Sequence, residues 1–518
     1  SPTFIINIVT FLQPWFESNV SKSYSGLKTT QVTMKLVGLD EDVLIYIVLF
    51  LEPPDILRLS EVHMQSDSPI DMSAYHLDQC LFTPCHRPRG YPFPSTLFDE
   101  LSTKELTYHT ISSYHLARRW RRGIQGRRRM RYISGTSGTS VSDVQYLPGH
   151  NDSLMLMISK SVWSVLSIWY IGSEKPHKVC EWSPRGAIFS GIAVNSDSRS
   201  EATIALALHL NEQVIGPYCE NSFVKARDWV TVFFARDARY KNFDMKPVTM
   251  NGDILALNDD FSQTAIWNWR TGSYGLLRHL PEDPSVFQCT GCSCTNNPFP
   301  RLYPHDADGT LPVPYETLAH HSFGWLTQNV SISARSFPDR RVTLQKHASL
   351  SILVRGESDD PWASDIFYLE LYTFEPNPGY IPDDTSPANI SPYLFPPRLS
   401  NKVACLRGSL TCRQIVLGRL GTAVWIQPRD RFAGGLLADI PSHLVPATNV
   451  HESLIVAVFP GSLRSEEEGK VKEGSSVVVG KKIFGNEFNT SWTSLDYDEV
   501  NGRIALASSF GRVTIPEL

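Results

Sequence analysis

"LMLMISKSVWSVLSIWYIGS", residues 154–173, is the stretch that decides the fold. It holds one apolar run, a tight turn and a second apolar run that carries Trp169. Apolar runs of about four to eight residues, bounded by turn formers and rich in branched and aromatic side chains, read as strands, so the stretch is a hairpin. The same shape recurs in "GDILALNDDFSQTAIWNWRTGS" (252–273), "RQIVLGRLGTAVWIQPRD" (413–430) and "GRIALASSFGRVTIPEL" (502–518). These units end near residues 172, 272, 428 and 518. The gaps are small multiples of about 45–52 residues, the repeat length of a propeller blade.

Residues 132–518 therefore read as one all-β propeller, long enough for about seven blades, with six to eight compatible with the spacing. Trp169, Trp267, Trp269 and Trp425 are expected between blades, where aromatic strand residues pack against the next sheet, rather than along a ligand channel. The last run, 492–514, is too rich in strand formers to stand as an open edge, and pairing with the start of the ring would remove that edge.

Composition narrows the function. The chain has 518 residues, 42% hydrophobic, 11% aromatic and 19% charged, with a net charge of -5. That describes a folded, β-leaning chain with no bulk attraction to nucleic acid. The longest uncharged apolar run, 43–51, falls short of the roughly 20 residues a membrane span needs, so no crossing of a bilayer is expected. The opening "SPTFIINIVTFLQPWF" lacks the basic start and small-residue cleavage site of an export signal; residues 1–35 read as a disordered tail, with Met34 a candidate start. Nine cysteines, an odd number, then suit a reducing compartment, cytoplasm or nucleus, where the Asn329 sequon goes unglycosylated.

A different pattern stands ahead of the propeller: "LDEDVLIYIVLFLEPPDILRLSEV", residues 39–62. Val43, Leu44, Ile47, Val48 and Leu51 fall at helical spacing, behind Asp40, Glu41 and Asp42, which suit a helix N-terminus. "EPPD" ends that helix, and Asp55 is expected to cap a second one starting at Ile56 with Leu57, Leu59 and Val62 on its apolar face. So small a pair cannot bury both faces within itself. It needs either a partner protein or the propeller to pack on. Residues 66–131 form a Pro-rich and helical linker, in which Ser102 and Glu105 have capping-box spacing, and it ends in an Arg-rich segment.

The positions Leu39, Leu44, Ile47, Leu51, Pro53, Asp55, Leu57, Arg58, Leu59, Ser60 and Val62 resemble the F-box, a small helical module. Beyond it, the Pro-rich segment, "LSTKEL", "SYHLARRW" and the closing "YDEVNGRIALASSFGRVTI" are similar to F-box proteins of mushroom-forming fungi that carry a WD-repeat-like propeller. The resemblance implies an all-α F-box at 36–65 that docks a Skp-type adaptor, and through it a cullin, by Leu39, Leu44, Ile47, Leu51, Pro53, Leu57 and Val62. It implies a non-catalytic substrate receptor of a ubiquitin ligase whose propeller holds a target protein, without cofactor, metal, nucleic acid or membrane. The alternative is a propeller interaction scaffold with a vestigial F-box. Two departures stand out: Asp40 replaces the usual Pro, and "HMQSDSPIDMSAYHLDQ" replaces the usual Cys-Lys and aromatic helix, which shortens the third helix.

Other motifs carry less. Cys289, Cys292 and Cys294 in "CTGCSC" have zinc-like spacing but no second tight pair, so a blade loop is the expected reading. Eight arginines between 118 and 131 suit a solvated linker, with nuclear import as the competing reading. "GRLGTA" (418–423) is expected to be a strand-to-strand turn, because no helix follows to cradle phosphate. The chain holds no nucleophile elbow, Walker loop or H-E-x-x-H helix. A propeller hydrolase would need an acid–base set around the central channel, and acidic side chains gathered there would favour it.

Overall fold

A computed structural model describes residues 53–56, 92, 102–122, 129–135, 139–149, 153–184, 186–200, 202–210, 232–234, 245–258, 263–271, 273–278, 321, 323, 326–334, 349–357, 366–380, 391–406, 410–428, 452–460, 463, 478–486 and 491–518. These residues are mostly β, arranged as a propeller-like succession of sheets with few helices.

Helix α1 (Thr103–Arg122) comes first among the long elements. Its start is set locally. The Ser102 hydroxyl accepts from the Glu105 amide at 3.4 Å, and the Glu105 carboxylate accepts from the Ser102 amide at 2.9 Å, the reciprocal capping expected from the spacing. The Ser102 hydroxyl also donates to the Glu105 carboxylate at 2.7 Å, and that bond first, with the Ser102 amide second, holds the Glu105 carboxyl below its ordinary range. Leu106, Thr110, Tyr114, Ala117 and Trp120 make a buried stripe at helical period, while Lys104, Tyr108, His115 and Arg118 face out.

Six sheets follow. The first is β2 (Ser140–Leu147), β3 (Leu154–Lys160), β4 (Ser164–Tyr170) and β5 (His177–Trp182), in that spatial order. The second has three described strands, β6 (Ala187–Val194), β7 (Ile204–Leu210) and β8 (Val232–Phe234), the last parallel to β7. The third is β9 (Lys246–Asn251), β10 (Ile254–Asn258), β11 (Gln263–Asn268) and β12 (Tyr274–Arg278). The fourth is β13 (Leu326–Ala334), β14 (Leu350–Glu357), β15 (Ile366–Phe374) and β16 (Arg398–Leu406). The fifth is β17 (Ile415–Leu417), β18 (Thr422–Gln427), β19 (Ser453–Val458) and β20 (Lys481–Gly485). The sixth is built from both ends of the described ring: β21 (Trp492–Asp498), β22 (Arg503–Ser508), β23 (Arg512–Glu517) and then β1 (Arg129–Ser134).

The pairing of β1 with β23 is the closure expected of the last run. It is antiparallel and unbroken, from Arg129 opposite Glu517 to Ser134 opposite Arg512. Arg131, almost fully buried, ties the seam to the first sheet. Its guanidinium pairs with Glu517 at 2.8 Å and donates to the carbonyls of Ser173, at 2.8 Å, and Ile171.

Middle strands carry the core. β3, β19 and β22 are buried along nearly their whole length, because neighbouring sheets cover both of their faces. Strands buried on two faces read as continuous apolar runs. The outer β5, by contrast, has no buried residue. Five apolar clusters fill successive joints between sheets: first with second, second with third, fourth with fifth, fifth with sixth, and sixth with first. Trp425 is fully buried, and Trp169, Trp267 and Trp269 pack partly buried against such clusters, as expected of blade residues.

Two expectations change in detail. The four strand-turn-strand units are not in phase: three are second-to-third strand hairpins, whereas 413–430 joins the first and second strands of its sheet. Residues 53–56 are helical already at Pro53, so Asp55 lies within a helical turn instead of capping a helix that starts at Ile56. "GRLGTA" is the β17–β18 turn, with Gly421 at φ 87°, a left-handed conformation that favours glycine. The "CTGCSC" motif lies outside the described residues. No helix of the described residues is long and apolar enough to cross a membrane.

Removing residues 512–518 deletes β23 and strips β1 and β22 of a shared partner. We expect the truncated chain to be insoluble or rapidly cleaved in limited proteolysis, while a full-length control is resistant; equal resistance would show that the seam does not hold the ring.

Candidate functional site

Two features of the ring bear on function: how the N-terminal helix is fixed, and what the inner strands do with their polar groups. α1 sits at the joint between the fifth and sixth sheets. Leu116, Ala117 and Trp120 enter the same apolar cluster as Leu420, Val458, Tyr497 and Leu518. The Trp120 ring meets Tyr497 edge-on at 5.9 Å between centroids. Arg119 donates to the Leu518 carbonyl at 2.6 Å, and Lys481 donates to the Arg121 carbonyl at 2.8 Å. Gly502 shows how close the fit is. A Cβ there would stand 2.5 Å from a Leu116 methyl, and its φ of 66° already requires glycine. Part of the Arg-rich run is thus structural, since Arg119 fastens the helix and Arg131 the seam.

The inner strands are joined by a repeated device. An inner strand presents amides to the neighbouring sheet without a ladder partner, and a buried amide must be satisfied. Side chains two apart on one inner strand supply the acceptors for amides two apart on the next. Asn329 and Ser331 on β13 accept from Ile415 and Leu417 on β17, at 3.2 and 2.9 Å. Ser494 and Asp496 on β21 accept from Val144 and Tyr146 on β2, at 3.2 and 2.6 Å. Gln414 accepts from the Leu495 amide at 2.6 Å, and Glu499 accepts from the Leu420 and Thr422 amides at 3.0 and 3.3 Å. The Asn329 sequon side chain is therefore spent on a joint between sheets.

These joints place several acids near the inner strands, the pattern that would favour a hydrolase. Their bonding also ties sheets and turns together. Asp496 and Glu499 point at backbone amides of the adjacent sheet, and Asp498 accepts from the Val500 and Asn501 amides of its own turn, at 3.1 and 3.0 Å. Burial raises all four carboxyls: Asp143 to about 6, Asp496 to about 7, and Asp498 and Glu499 upward. Asp143 and Asp496 keep some solvent exposure, but the strands around them remove enough water to favour the neutral acid. Among the described residues, no group of histidine, cysteine and carboxylate side chains could hold a metal ion.

Of the residues expected to dock an adaptor, Pro53 is described and buried in its helical turn, as is its neighbour Ile56. Leu39, Leu44, Ile47, Leu51, Leu57 and Val62 lie outside the described residues. The inner-strand acceptors had no signal in the sequence beyond polar residues alternating with apolar ones, because each partner lies 77 to 350 residues away. No protein-family model matches the chain, and no curated protein matches it.

Asp496 gives a pH-dependent test with a fixed sign. Its carboxyl titrates near 7 in the folded chain and near 3.8 when unfolded, so between those values the folded state holds a proton that the unfolded state has lost. The contribution is fully present below about pH 4 and is lost as pH rises through about 7. Asp496→Asn keeps an acceptor for Tyr146 without the titration. Its unfolding free energy relative to the native chain should improve by roughly 2–4 kcal/mol between pH 4.5 and pH 8 in urea melts. A pH-independent difference would contradict the assignment.

Proposed function

We propose that the chain is a substrate-recognition subunit of a Skp-cullin-F-box ubiquitin ligase. Residues 39–62 dock the Skp-type adaptor, and the propeller holds a target protein. The chain supplies no chemistry of its own in this reading; it raises the effective concentration of target beside a ubiquitin-charged enzyme. The observation that carries the reading is the fixing of α1. A receptor of this kind needs a stiff connection between docking helices and recognition domain, and α1 is seated in the propeller core by Leu116, Ala117 and Trp120 and fastened by Arg119 and Lys481. A sequence with the apolar spacing of residues 39–62, ahead of a helix so anchored, suits helix-in-groove docking to a partner. The ring itself is proposed to have about seven blades, the number the length of residues 132–518 accommodates. The cytoplasm or nucleus is the proposed compartment.

Docking surfaces concentrate their energy in a few residues, each costing roughly 2–4 kcal/mol when truncated. Leu51→Ala with Leu57→Ala should therefore weaken adaptor binding by at least about 1000-fold in pull-down or calorimetry, with the propeller melt nearly unchanged. If those leucines pack on the propeller instead, the same change leaves cavities and lowers the melting temperature. A native chain that never binds adaptor would point to a scaffold with a vestigial F-box.

A further inference from the structure

The two ends of the propeller differ. α1 meets the end that carries the first-to-second strand turns, through Gly502 and Leu420. The opposite end carries the second-to-third strand turns, and two of these have apolar tips. In the first sheet the β3–β4 turn presents Val162, 82% exposed, and Trp163, 38% exposed. In the sixth, the β22–β23 turn presents Phe510, 67% exposed. Turn tips are ordinarily polar or glycine, and large apolar groups gathered in water mark interaction sites.

The two turns are neighbours. The Gly135 amide donates to the Gly511 carbonyl at 2.7 Å, and a Cβ on Gly135 would lie 3.3 Å from the Met157 terminal methyl and 3.8 Å from the Ser159 hydroxyl. Gly135 thus bridges the turn bearing Phe510 and the strand leading to Val162. The charged side chains flanking the two tips are both positive. Lys160 is exposed at the end of β3, and Arg512 follows Phe510, its guanidinium 4.0 Å from the centroid of the exposed Tyr132 ring. Asp143 on β2 accepts from Gln145 and Ser494 at 3.5 Å, and Lys160 lies close enough to act on its charge.

We infer that Val162, Trp163 and Phe510, with Lys160 and Arg512 beside them, form a docking patch for a segment of a partner protein that presents apolar side chains flanked by carboxylates. This rests on the receptor reading and names the chemistry of its target. The apolar tips supply contact area, and the two cations select an acidic flank over a basic one. The patch lies at the far end of the ring from α1.

The test uses the full chain and a fluorescein-labelled peptide with a central Phe-Leu pair flanked by glutamates. Fluorescence anisotropy should show saturable binding that weakens with salt. Exchanging the glutamates for lysines, or Phe-Leu for Ser-Ser, should each weaken it by at least about tenfold. Val162→Ser with Phe510→Ser should do the same, as should Lys160→Glu alone. These side chains are exposed, so the melting temperatures should match the native chain and exclude unfolding as the cause. No binding, equal binding by the variants, or preference for the lysine peptide would overturn the inference. So would sedimentation showing that the patch instead joins two copies of this chain and that Val162→Ser with Phe510→Ser separates them. Adaptor binding measured on the same proteins keeps the two readings apart: loss of peptide binding with adaptor binding retained overturns the patch alone, whereas peptide binding without adaptor binding supports the patch and overturns the receptor.

Discussion

Six consecutive residue pairs, from Arg129 with Glu517 to Ser134 with Arg512, close the ring, and the rest of the structure depends on them. An open propeller would end in two unpaired strand edges, each a template for aggregation. The entropy of closing so long a loop is no obstacle, since each doubling of loop length adds only about 0.6 kcal/mol. Closure also brings β21 against β2, so that Ser494 and Asp496 reach amides 350 residues away. The joint between the last and first sheets thus exists only because the two ends of the ring share one sheet.

The same closure seats α1. Gly502, Leu518 and Tyr497 belong to the closing sheet or its turns, and they are what Leu116, Arg119 and Trp120 touch. Loss of the seam would therefore loosen the helix as well as the blades. The acids at the joints add a second dependence. Each buried carboxylate satisfies amides that would otherwise be costly, yet its own charge is unfavourable there, so proton uptake strengthens these joints. Asp496, Asp498 and Glu499 thus stabilise the joints and turns by accepting hydrogen bonds from backbone amides.

What the sequence made legible was local. The capping box at Ser102 and Glu105 involves residues three apart, and it forms as the spacing implies. The apolar runs at 154–160 and 503–508 became middle strands because two-sided burial writes itself as uninterrupted hydrophobicity. The phase of the repeat was harder. The unit at 413–430 looks like the other three, but whether a hairpin is first-to-second or second-to-third depends on which strand lies innermost, and no local residue pattern reports that. Arg129 and Arg131 were hidden for a related reason. A strand rich in arginine reads as linker until Glu517 and the carbonyls of Ile171 and Ser173 are brought beside it. Apolar turn tips at Val162 and Phe510 were visible as residues, but their proximity required the fold.

Hydrogen–deuterium exchange of the full chain with and without a Skp-type adaptor tests most directly the proposed union of a docking segment at 39–62, an anchored helix and a closed ring. The account predicts that adaptor slows exchange within residues 39–62 and leaves the strands of the ring unchanged, with β1 and β23 strongly protected in both states. Unchanged exchange at 39–62 in the presence of saturating adaptor, or fast exchange at β1 and β23, would contradict it.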